Sequence, residues 1–297
     1  MSRGFVTIAT GKERYYKMAA NLLRSYRYYS ADPEPFAIIC DRENRYTDLF
    51  DKTIHMEKPT FSYVDKLKLP EYLPFDETIF IDADCLAYKD LNDFWKAFED
   101  AAAFSAFGSN HTFDFPYGWF KKEGVGIYQD RITYIPDFIG GVYYLRKSED
   151  LDRFYEIVKH IASTYHDYRF RQFENLADEP VYALAMSVCG FKTAGKKSPD
   201  ICFYPVLNYF ESDISTGTVI YENKYMQKRG RIFEAHMVHW GNGFTRDLPY
   251  MMEIYRLNRI CAGKPLNKAG LAMAELRIRV DIFVRIVYSK LKKAIKG

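Results

Sequence analysis

The sequence has few cysteines, little net charge and no long apolar run, and each shortage excludes a class of protein. The five cysteines are odd in number, scattered, and never spaced as Cys-X-X-Cys. Neither a disulfide framework nor a zinc site is therefore indicated, and a reduced compartment fits best. The net charge of +3 and the lack of a known nucleic-acid module exclude a general nucleic-acid binder.

Membrane insertion is also not indicated by the sequence. No stretch is long and apolar enough to span a bilayer. The first residues lack an apolar signal core, because charged residues such as Arg3 and Lys12 interrupt them. We therefore expect a cytoplasmic protein. Its 297 residues, 48% of them hydrophobic, suit one large α/β domain with or without a small appendage.

Strand-like and helical patterns alternate along the chain. The apolar runs 5–10, 36–40 and 79–81 predict buried strands, and 52–56 is a weaker example. Apolar residues at helical spacing follow the first run, from Tyr15 to Tyr26. This alternation predicts an α/β fold with a mostly parallel, doubly wound central sheet.

Two carboxylates directly follow one predicted strand. Asp82 and Asp84 come after Ile79-Phe80-Ile81, with Ala83 between them. Ligands of open α/β sheets bind beyond the carboxyl ends of the strands. Two acids at this spacing can share one hard divalent cation. The alternative is a strand end with two solvated acids.

Other segments give weaker signals. Thr10-Gly11 ends the first strand, where backbone N–H groups can face a phosphate. Asp41 ends the second strand, where a carboxylate often holds a ribose, although an acid in a surface loop fits equally. Asp178-Glu179-Pro180 begins a predicted helix, and this start signal alone accounts for both acids. The aromatic segment 109–136 predicts a substrate-contacting loop, or else a hairpin that packs on the core.

The end of the chain, 271–297, differs in composition from the rest. From Glu275 onward it holds seven Lys or Arg and two acids, a net charge of +5 (7 − 2). Apolar residues fall on one helical face, and such a helix can lie on an anionic membrane surface. The alternative is a helix that packs on its own domain with a solvated basic face. We predict a catalytic domain over 1–262 and a helical extension over 263–297.

The ordered motifs resemble glycosyltransferase family 8, which includes glycogenin and bacterial lipopolysaccharide glycosyltransferases. Asp82-Ala83-Asp84 resembles its Asp-X-Asp signature. Lys66 stands sixteen residues earlier (82 − 66), at the spacing of the family's phosphate-contacting lysine. Further similarities occur in family order between about residues 5 and 250, namely Thr10-Gly11 with Tyr15-Tyr16, Phe138-Ile139-Gly140-Gly141-Val142, Ala177-Asp178-Glu179 and His239-Trp240-Gly241.

The resemblance implies a GT-A fold and retaining transfer of a hexose from a UDP-sugar to a glycan, lipopolysaccharide or other cell-surface acceptor. It implies Mn²⁺ or Mg²⁺ bound by Asp82, Asp84 and His239. Asp178 and Glu179 are the implied catalytic residues, by double displacement or by a front-face route. The implied donor-binding residues are Thr7, Ala9, Thr10, Gly11, Tyr15, Tyr16, Asp41, Lys66, Asp82, Ala83, Gly140, Gly141, Gly241 and Arg246.

The sequence departs from the family pattern at three places. Ile139 stands where the family has asparagine, and Glu179 where it has glutamine. The late Lys-Pro-Trp is missing, and Arg246 is the remaining positive charge. These departures bear on the donor sugar and on the stereochemistry.

Two other functions compete with glycosyl transfer. A non-catalytic nucleotide-sugar or membrane-surface module would depend on the C-terminal helix. Aspartyl-phosphate phosphatases also carry Asp-X-Asp after an apolar strand, usually with threonine two residues after the second acid. Leu86 occupies that position here. The resemblance therefore favours the transferase, peripheral on the inner face of a membrane.

Overall fold

The structure is a computed structural model that describes residues 1–195, 200–224 and 230–296. The chain forms two compact units, each built from three segments. Unit 1 comprises Met1–Ala20, Asp32–Ala83 and Asn92–Pro199. Unit 2 comprises Asn21–Ala31, Asp84–Leu91 and Asp200–Gly297. One boundary between the units therefore falls inside the Asp-X-Asp motif.

The strands and helices follow one another along the whole chain. In order they are β1 (Arg3–Ala9), α1 (Glu13–Tyr29), β2 (Phe36–Cys40), β3 (Lys52–His55), β4 (Glu77–Ile81), β5 (Cys85–Ala87), α2 (Asp93–Ala97), β6 (Phe104–His111), β7 (Ile135–Arg146), α3 (Glu149–Ser163), α4 (Asp178–Cys189), β8 (Ile201–Phe203), β9 (Leu207–Asp213), β10 (Thr218–Asn223), β11 (Met237–His239), α5 (Leu248–Cys261) and α6 (Lys268–Lys296).

Unit 1 is organised around a six-stranded sheet with the order β3-β2-β1-β4-β7-β6. The first four strands are mutually parallel, and β7 runs antiparallel to both β4 and β6. All five residues of β2 are buried, as expected of a strand covered on both faces. The predicted α/β fold with a mostly parallel central sheet is therefore confirmed.

The core of unit 1 contains many aromatic rings. Tyr143 of β7 stacks on Phe80 with the ring centroids 5.8 Å apart, and it meets Tyr182 of α4 edge to face at 5.0 Å. Nearly every residue of α4 after its two acids is apolar, and the helix is buried on all sides, as expected of such a sequence. It ends at Gly190, whose φ of +75° provides the left-handed cap. Packing of α4 on β7 thus holds the start of the helix beside the sheet.

Unit 2 contains a small three-stranded sheet with the order β5-β11-β8 and the hairpin β9–β10. β11 pairs antiparallel with β5 and parallel with β8. Glu253 of α5 is buried, and it accepts hydrogen bonds from the Tyr88 hydroxyl (3.0 Å) and the Ile214 N–H (2.6 Å). These bonds tie α5 to the other elements of unit 2.

Three segments have a proline where the backbone changes its conformation. The segment that contains Lys66 is a 3₁₀ helix over Tyr63–Tyr72, which contains Pro70. Strands β8 and β9 are separated by a 3₁₀ turn over Tyr204–Val206, because Pro205 cannot donate to a ladder. Helix α5 was not predicted, although Asp247-Leu248-Pro249 is a helix-start signal.

The aromatic segment 109–136 serves the core as well as the surface. Its first three residues continue β6, and its last two begin β7. Trp119, Phe120 and Val125 between them are buried in the core of unit 1, whereas Tyr117 is exposed. The expected loop is therefore shorter than predicted, and part of it packs on the core.

No helix in the described ranges is long and apolar enough to cross a lipid bilayer. The predicted boundary between 262 and 263 falls between the end of α5 and the start of α6. The division into a catalytic domain and an extension at that point stays a prediction.

Candidate active site

A lysine that is only 14% exposed lies at the centre of an acidic cluster in unit 1. The ammonium of Lys66 is 2.8 Å from Asp82 Oδ2 and 3.3 Å from Asp178 Oδ2. It also donates a 2.8 Å hydrogen bond to the carbonyl of Gly140. Glu179 completes the cluster, since its Oε1 accepts a 2.8 Å hydrogen bond from the Gly140 N–H. Three carboxylates thus surround one cation.

The members of the cluster come from three different parts of unit 1. Asp82 follows β4, and its N–H donates to the Gly141 carbonyl at 3.0 Å. Asp178 and Glu179 are the first residues of α4, where the helix dipole favours negative charge. The carbonyl of Lys66 accepts a 2.6 Å hydrogen bond from the hydroxyl of Tyr182. The cluster therefore depends on the packing of β4, β7, α4 and the 3₁₀ helix.

Gly140 is a glycine because the acids approach its backbone closely. A Cβ at this position would lie 2.5 Å from the hydroxyl oxygen of Tyr143 and 2.9 Å from Glu179 Cγ. It would also lie 3.0 Å from Asp178 Oδ2. Any side chain here would push both acidic residues out of place.

Burial and charge shift the pKa values of the cluster. Burial acts to lower the pKa of Lys66, but Asp178 and Asp82 more than offset it, so the pKa is raised and the lysine stays charged. Burial also raises the pKa of Glu179 to about 7, and the neighbouring Asp178 adds to the shift. Glu179 is therefore a group that can change charge near neutral pH.

Asp178 is held from two sides. Besides the Lys66 contact, its Oδ2 accepts a 2.6 Å hydrogen bond from the hydroxyl of Tyr143. Burial raises the pKa of Tyr143 well above its ordinary value, so this hydroxyl remains a donor. Asp178 itself is only 4% exposed. The carboxylate has a fixed orientation.

A second polar group lies where β1 and β2 end. Asp41 Oδ1 accepts a 2.8 Å hydrogen bond from the N–H of Gly11 and another from the Tyr16 hydroxyl. Gly11 has φ +77°, a conformation that favours glycine. Burial acts to raise the pKa of Asp41, but these hydrogen bonds lower it by more, so it stays ionised. The structure therefore brings together three residues of the predicted donor site.

The other predicted residues at this end of unit 1 differ in exposure. The ring of Tyr16 is fully buried, whereas Tyr15 is half-buried with the Arg14 guanidinium 4.6 Å from its ring centre. Of these two tyrosines, Tyr15 is the one whose ring is partly exposed. Thr7, Ala9 and Thr10 are buried along β1 and just beyond it, and Ala83 is 9% exposed.

Unit 2 contains a group of metal-ligating side chains. Three residues, Asp84, Cys85 and His239, each offer one ligand atom, and these three atoms lie within 4.8 Å of one another. All three residues are buried. His239 Nε2 is 3.2 Å from Asp84 Oδ1. The pairing of β5 with β11 places His239 opposite Cys85. The strand pairing thus brings the predicted ligands Asp84 and His239 together.

The donor atoms of this group differ in the metals that they suit. Carboxylate and imidazole are ligands that Mn²⁺ accepts, whereas a thiol favours softer ions. Asp84 and His239 therefore fit the predicted cation, and Cys85 is an additional neighbour that sequence reasoning missed. Its position directly after Asp84 was the available signal. Asp82, the third predicted ligand, belongs to unit 1, where it pairs with Lys66.

Two further predicted residues lie in unit 2. Gly241 follows β11 with φ +70°, and a Cβ on it would lie 3.0 Å from Pro205 Cγ. Arg246 is exposed, and its carbonyl accepts a 3.3 Å hydrogen bond from Arg285. Neither belongs to the group formed by Asp84, Cys85 and His239.

Comparison with known proteins identifies the fold. No family model matches the sequence, and no curated protein matches it. A solved structure of the galactosyltransferase LgtC in complex with donor and acceptor sugar analogues is similar, with a TM-score of 0.50 and 12% identity. The alignment covers 91% of this chain and 99% of LgtC. The apo form of the Streptococcus pneumoniae glycosyltransferase GlyE gives a TM-score of 0.39, 14% identity and coverage of 63% and 43%. The chain has the GT-A fold of LgtC.

Proposed function

We propose that this protein is a glycosyltransferase that moves a hexose from a UDP-sugar to a glycan, lipopolysaccharide or other cell-surface acceptor. The observation that carries the proposal is the cluster of Lys66, Asp82, Asp178 and Glu179 at the carboxyl end of β4. In open α/β sheets this edge is where ligands bind. The GT-A fold shared with LgtC supports the same function.

A nucleotide-sugar donor presents two kinds of groups that the residues of unit 1 suit. Its diphosphate is anionic and matches the ammonium of Lys66, which the raised pKa keeps charged. Its sugar hydroxyls match the carboxylates of Asp178 and Glu179, since carboxylates accept hydrogen bonds. Asp41 and the neighbouring Gly11 are assigned to the ribose, and Tyr15 to the base.

Asp84 and His239 are assigned to a divalent cation, Mn²⁺ or Mg²⁺. When bound, such an ion stabilises the charge that develops on a diphosphate leaving group. Asp82 is kept as a third ligand from the Asp-X-Asp resemblance alone. Arg246 is proposed as an additional charge for the phosphates, also from the resemblance.

The retained stereochemistry implied by the resemblance has two routes. In double displacement, Asp178 or Glu179 would attack the anomeric carbon. The contacts of Asp178 with Tyr143 and Lys66 fix its orientation and lower its nucleophilicity. We therefore favour the front-face route, in which Asp178 orients the sugar and the leaving phosphate accepts the proton of the acceptor.

The test is donor hydrolysis by the purified protein. With Mn²⁺ and a panel of UDP-sugars, the parent should release UDP from at least one sugar, and more rapidly when an acceptor is present. Asp84→Ala should lose this release while its circular dichroism spectrum stays that of the parent. Asp93→Ala is the matched control, because that carboxylate is half exposed and pairs with an exposed lysine.

Two results would contradict the proposal. One is a parent protein that releases UDP from none of the sugars while a thermal-shift screen shows that it is folded. Such a protein that still binds UDP-sugars would be a non-catalytic nucleotide-sugar module. The other is an Asp84→Ala variant that releases UDP as rapidly as the parent, which would remove Asp84 from the metal site.

A further inference from the structure

Helix α6 carries two apolar faces rather than one. Ala274 and Ile278 are buried against Met252 of α5, and Ile282 is partly buried beside them. An α-helix turns by about 100° per residue, so side chains two positions later point about 200° away. Leu276 and Val280 stand two positions after Ala274 and Ile278. The second apolar face therefore lies opposite the one that packs on α5.

This second face is exposed from Leu276 to Leu291 of α6. We call it the outer stripe. Phe283 is 67% exposed, and the other members are exposed to between 38% and 65%. From Leu276 to Leu291 the stripe extends for about 22 Å at the usual rise per residue. Its members are Leu276, Val280, Phe283, Val284, Val287 and Leu291. Contiguous exposed apolar surface of this kind is typical of protein–protein or membrane interaction sites.

Basic side chains line both edges of the outer stripe. Arg277 lies beyond one edge, next to Val284 around the helix, and Arg279 and Lys290 lie beyond the other, next to Phe283. All three are exposed. One of them, Arg279, also pairs with Glu275 at 2.7 Å. From Glu275 onward the charge is +5 (7 − 2).

We propose that the outer stripe binds the surface of an anionic lipid bilayer, with α6 lying parallel to that surface. The apolar side chains would enter the boundary between headgroups and acyl chains, and the flanking Arg and Lys would meet lipid phosphates. The contact of Ala274 and Ile278 with α5 fixes the helix to unit 2, so the protein follows the helix to the membrane. This inference is independent of the glycosyltransferase proposal.

The charge of the helix argues against a second copy of the chain as the occupant. Two outer stripes packed together would bring two basic segments, each of charge +5, alongside one another. Anionic lipid satisfies the apolar and the basic groups at once. The membrane is therefore the occupant that fits both features.

The experiment measures the binding of the full-length protein to vesicles by co-sedimentation. Vesicles of phosphatidylglycerol mixed with phosphatidylcholine should bind the protein at least about tenfold more tightly than phosphatidylcholine alone. The preference should weaken as salt rises. A stripe variant, Val280→Ser/Phe283→Ser/Val287→Ser, should lose binding to both. A charge variant, Arg277→Gln/Arg279→Gln/Lys290→Gln, should lose the anionic preference by at least about tenfold.

Two controls match these variants. Tyr117→Ser/Ile127→Ser removes rings and methyl groups that are 71% and 74% exposed in unit 1, and it should bind as the parent does. Lys121→Gln/Lys147→Gln/Lys159→Gln removes the same amount of charge from exposed positions elsewhere and should keep the anionic preference. Circular dichroism and thermal unfolding of every variant should show a folded protein.

Three outcomes would overturn the inference. The first is a parent that does not bind anionic vesicles. The second is a folded stripe variant that binds them as the parent does. The third is a parent that sediments as a dimer, ignores vesicles, and becomes monomeric when the stripe is changed, because a second copy would then cover the face.

Discussion

The Nε2 atom of His239 lies 3.2 Å from the Oδ1 atom of Asp84. The pairing of β11 with β5 places His239 opposite Cys85, the residue that follows Asp84. Asp84 and His239 are both only 7% exposed. A carboxylate and an imidazole at this separation can bind one divalent ion between them. The thiol of Cys85 is the third ligating group nearby. All three groups are close enough to share one ion, so the chemical preference of the ion would decide which of them bind it.

Substitutions at His239 and Cys85 should separate these roles. His239→Gln should weaken Mn²⁺ binding by at least about tenfold, since loss of even an outer-shell partner has such an effect. Cys85→Ser should change it by less than about threefold, because a thiol contributes little to a hard ion. Isothermal titration with Mn²⁺, in the presence and absence of UDP, measures both. Equal losses in the two variants would make the thiol a genuine ligand.

Gly140→Ala should disrupt the acidic cluster of unit 1. The added methyl would meet the Tyr143 hydroxyl at 2.5 Å and Glu179 Cγ at 2.9 Å. Such overpacking typically costs about 1–3 kcal/mol in the free energy of unfolding. UDP release should fall as well, because both acidic residues must move. Urea unfolding and the donor hydrolysis assay measure the two effects.

The control for this change is Gly243→Ala, because a Cβ there meets nothing within 4 Å. Its unfolding free energy should stay within about 0.5 kcal/mol of the parent, as for most surface changes. If Gly140→Ala is as stable and as active as the control variant, the close approach at Gly140 has no role.

Lys66→Met should destabilise the protein far more than removal of a surface lysine. It leaves Asp82 and Asp178 without their shared cation, and breaking a buried ion pair costs about 3–5 kcal/mol. Lys96 makes an ion pair of the same 2.8 Å length with Asp93, but its side chain is 82% exposed. Lys96→Met should cost less than about 1 kcal/mol.

Urea unfolding of both variants at pH 8 measures this difference. Because the pKa of Lys66 is raised above its ordinary 10.5, the stabilisation is fully present below about pH 10.5 and is lost only at higher pH. Similar losses for Lys66→Met and Lys96→Met would show that the acidic cluster does not depend on its lysine.

The strands of unit 1 could be predicted because burial on both faces leaves a continuous apolar signal. Phe36–Cys40 is the clearest example, since the predicted and observed bounds agree. Distant pairings leave no such local mark. Neither the hydrogen bond from Tyr143 to Asp178 nor the placement of Cys85 opposite His239 follows from spacing. The resemblance predicts candidate residues, and the strand pairing of β5 with β11 brings two of them, Asp84 and His239, close together.

Helix α6 illustrates the same limit. The sequence predicted a basic amphipathic helix, with membrane binding and packing on the domain as alternatives. In the structure Ile278 packs on α5 while Phe283 remains exposed, so one helix has a packed face and an open face. A single hydrophobic period cannot distinguish these faces, because both consist of apolar residues at helical spacing.

Glu179→Gln should make the protein more stable at pH 8 and leave its stability almost unchanged near pH 4.5. Burial raises the pKa of Glu179 from 4.5 to about 7, so the folded state binds a proton that the unfolded state releases between these values. The free energy of unfolding therefore falls as pH rises from 4.5 to 7. A shift of this size corresponds to a loss on the order of 3 kcal/mol, complete above pH 7. Glutamine removes the titration, and its amide oxygen can still accept from the Gly140 N–H.

Urea unfolding of the parent and the variant across pH 4.5 to 8 measures the difference between their free energies of unfolding. The other titrating groups contribute equally to both proteins, so their contributions cancel in this difference. Glu123→Gln is the control for the substitution itself, because that side chain is exposed. If the difference for Glu179→Gln varies with pH no more than that of the control, the carboxyl of Glu179 has the same pKa in the folded and in the unfolded protein. In that case Glu179 is ionised beside Asp178 at neutral pH, and it is not a group that can take up a proton there.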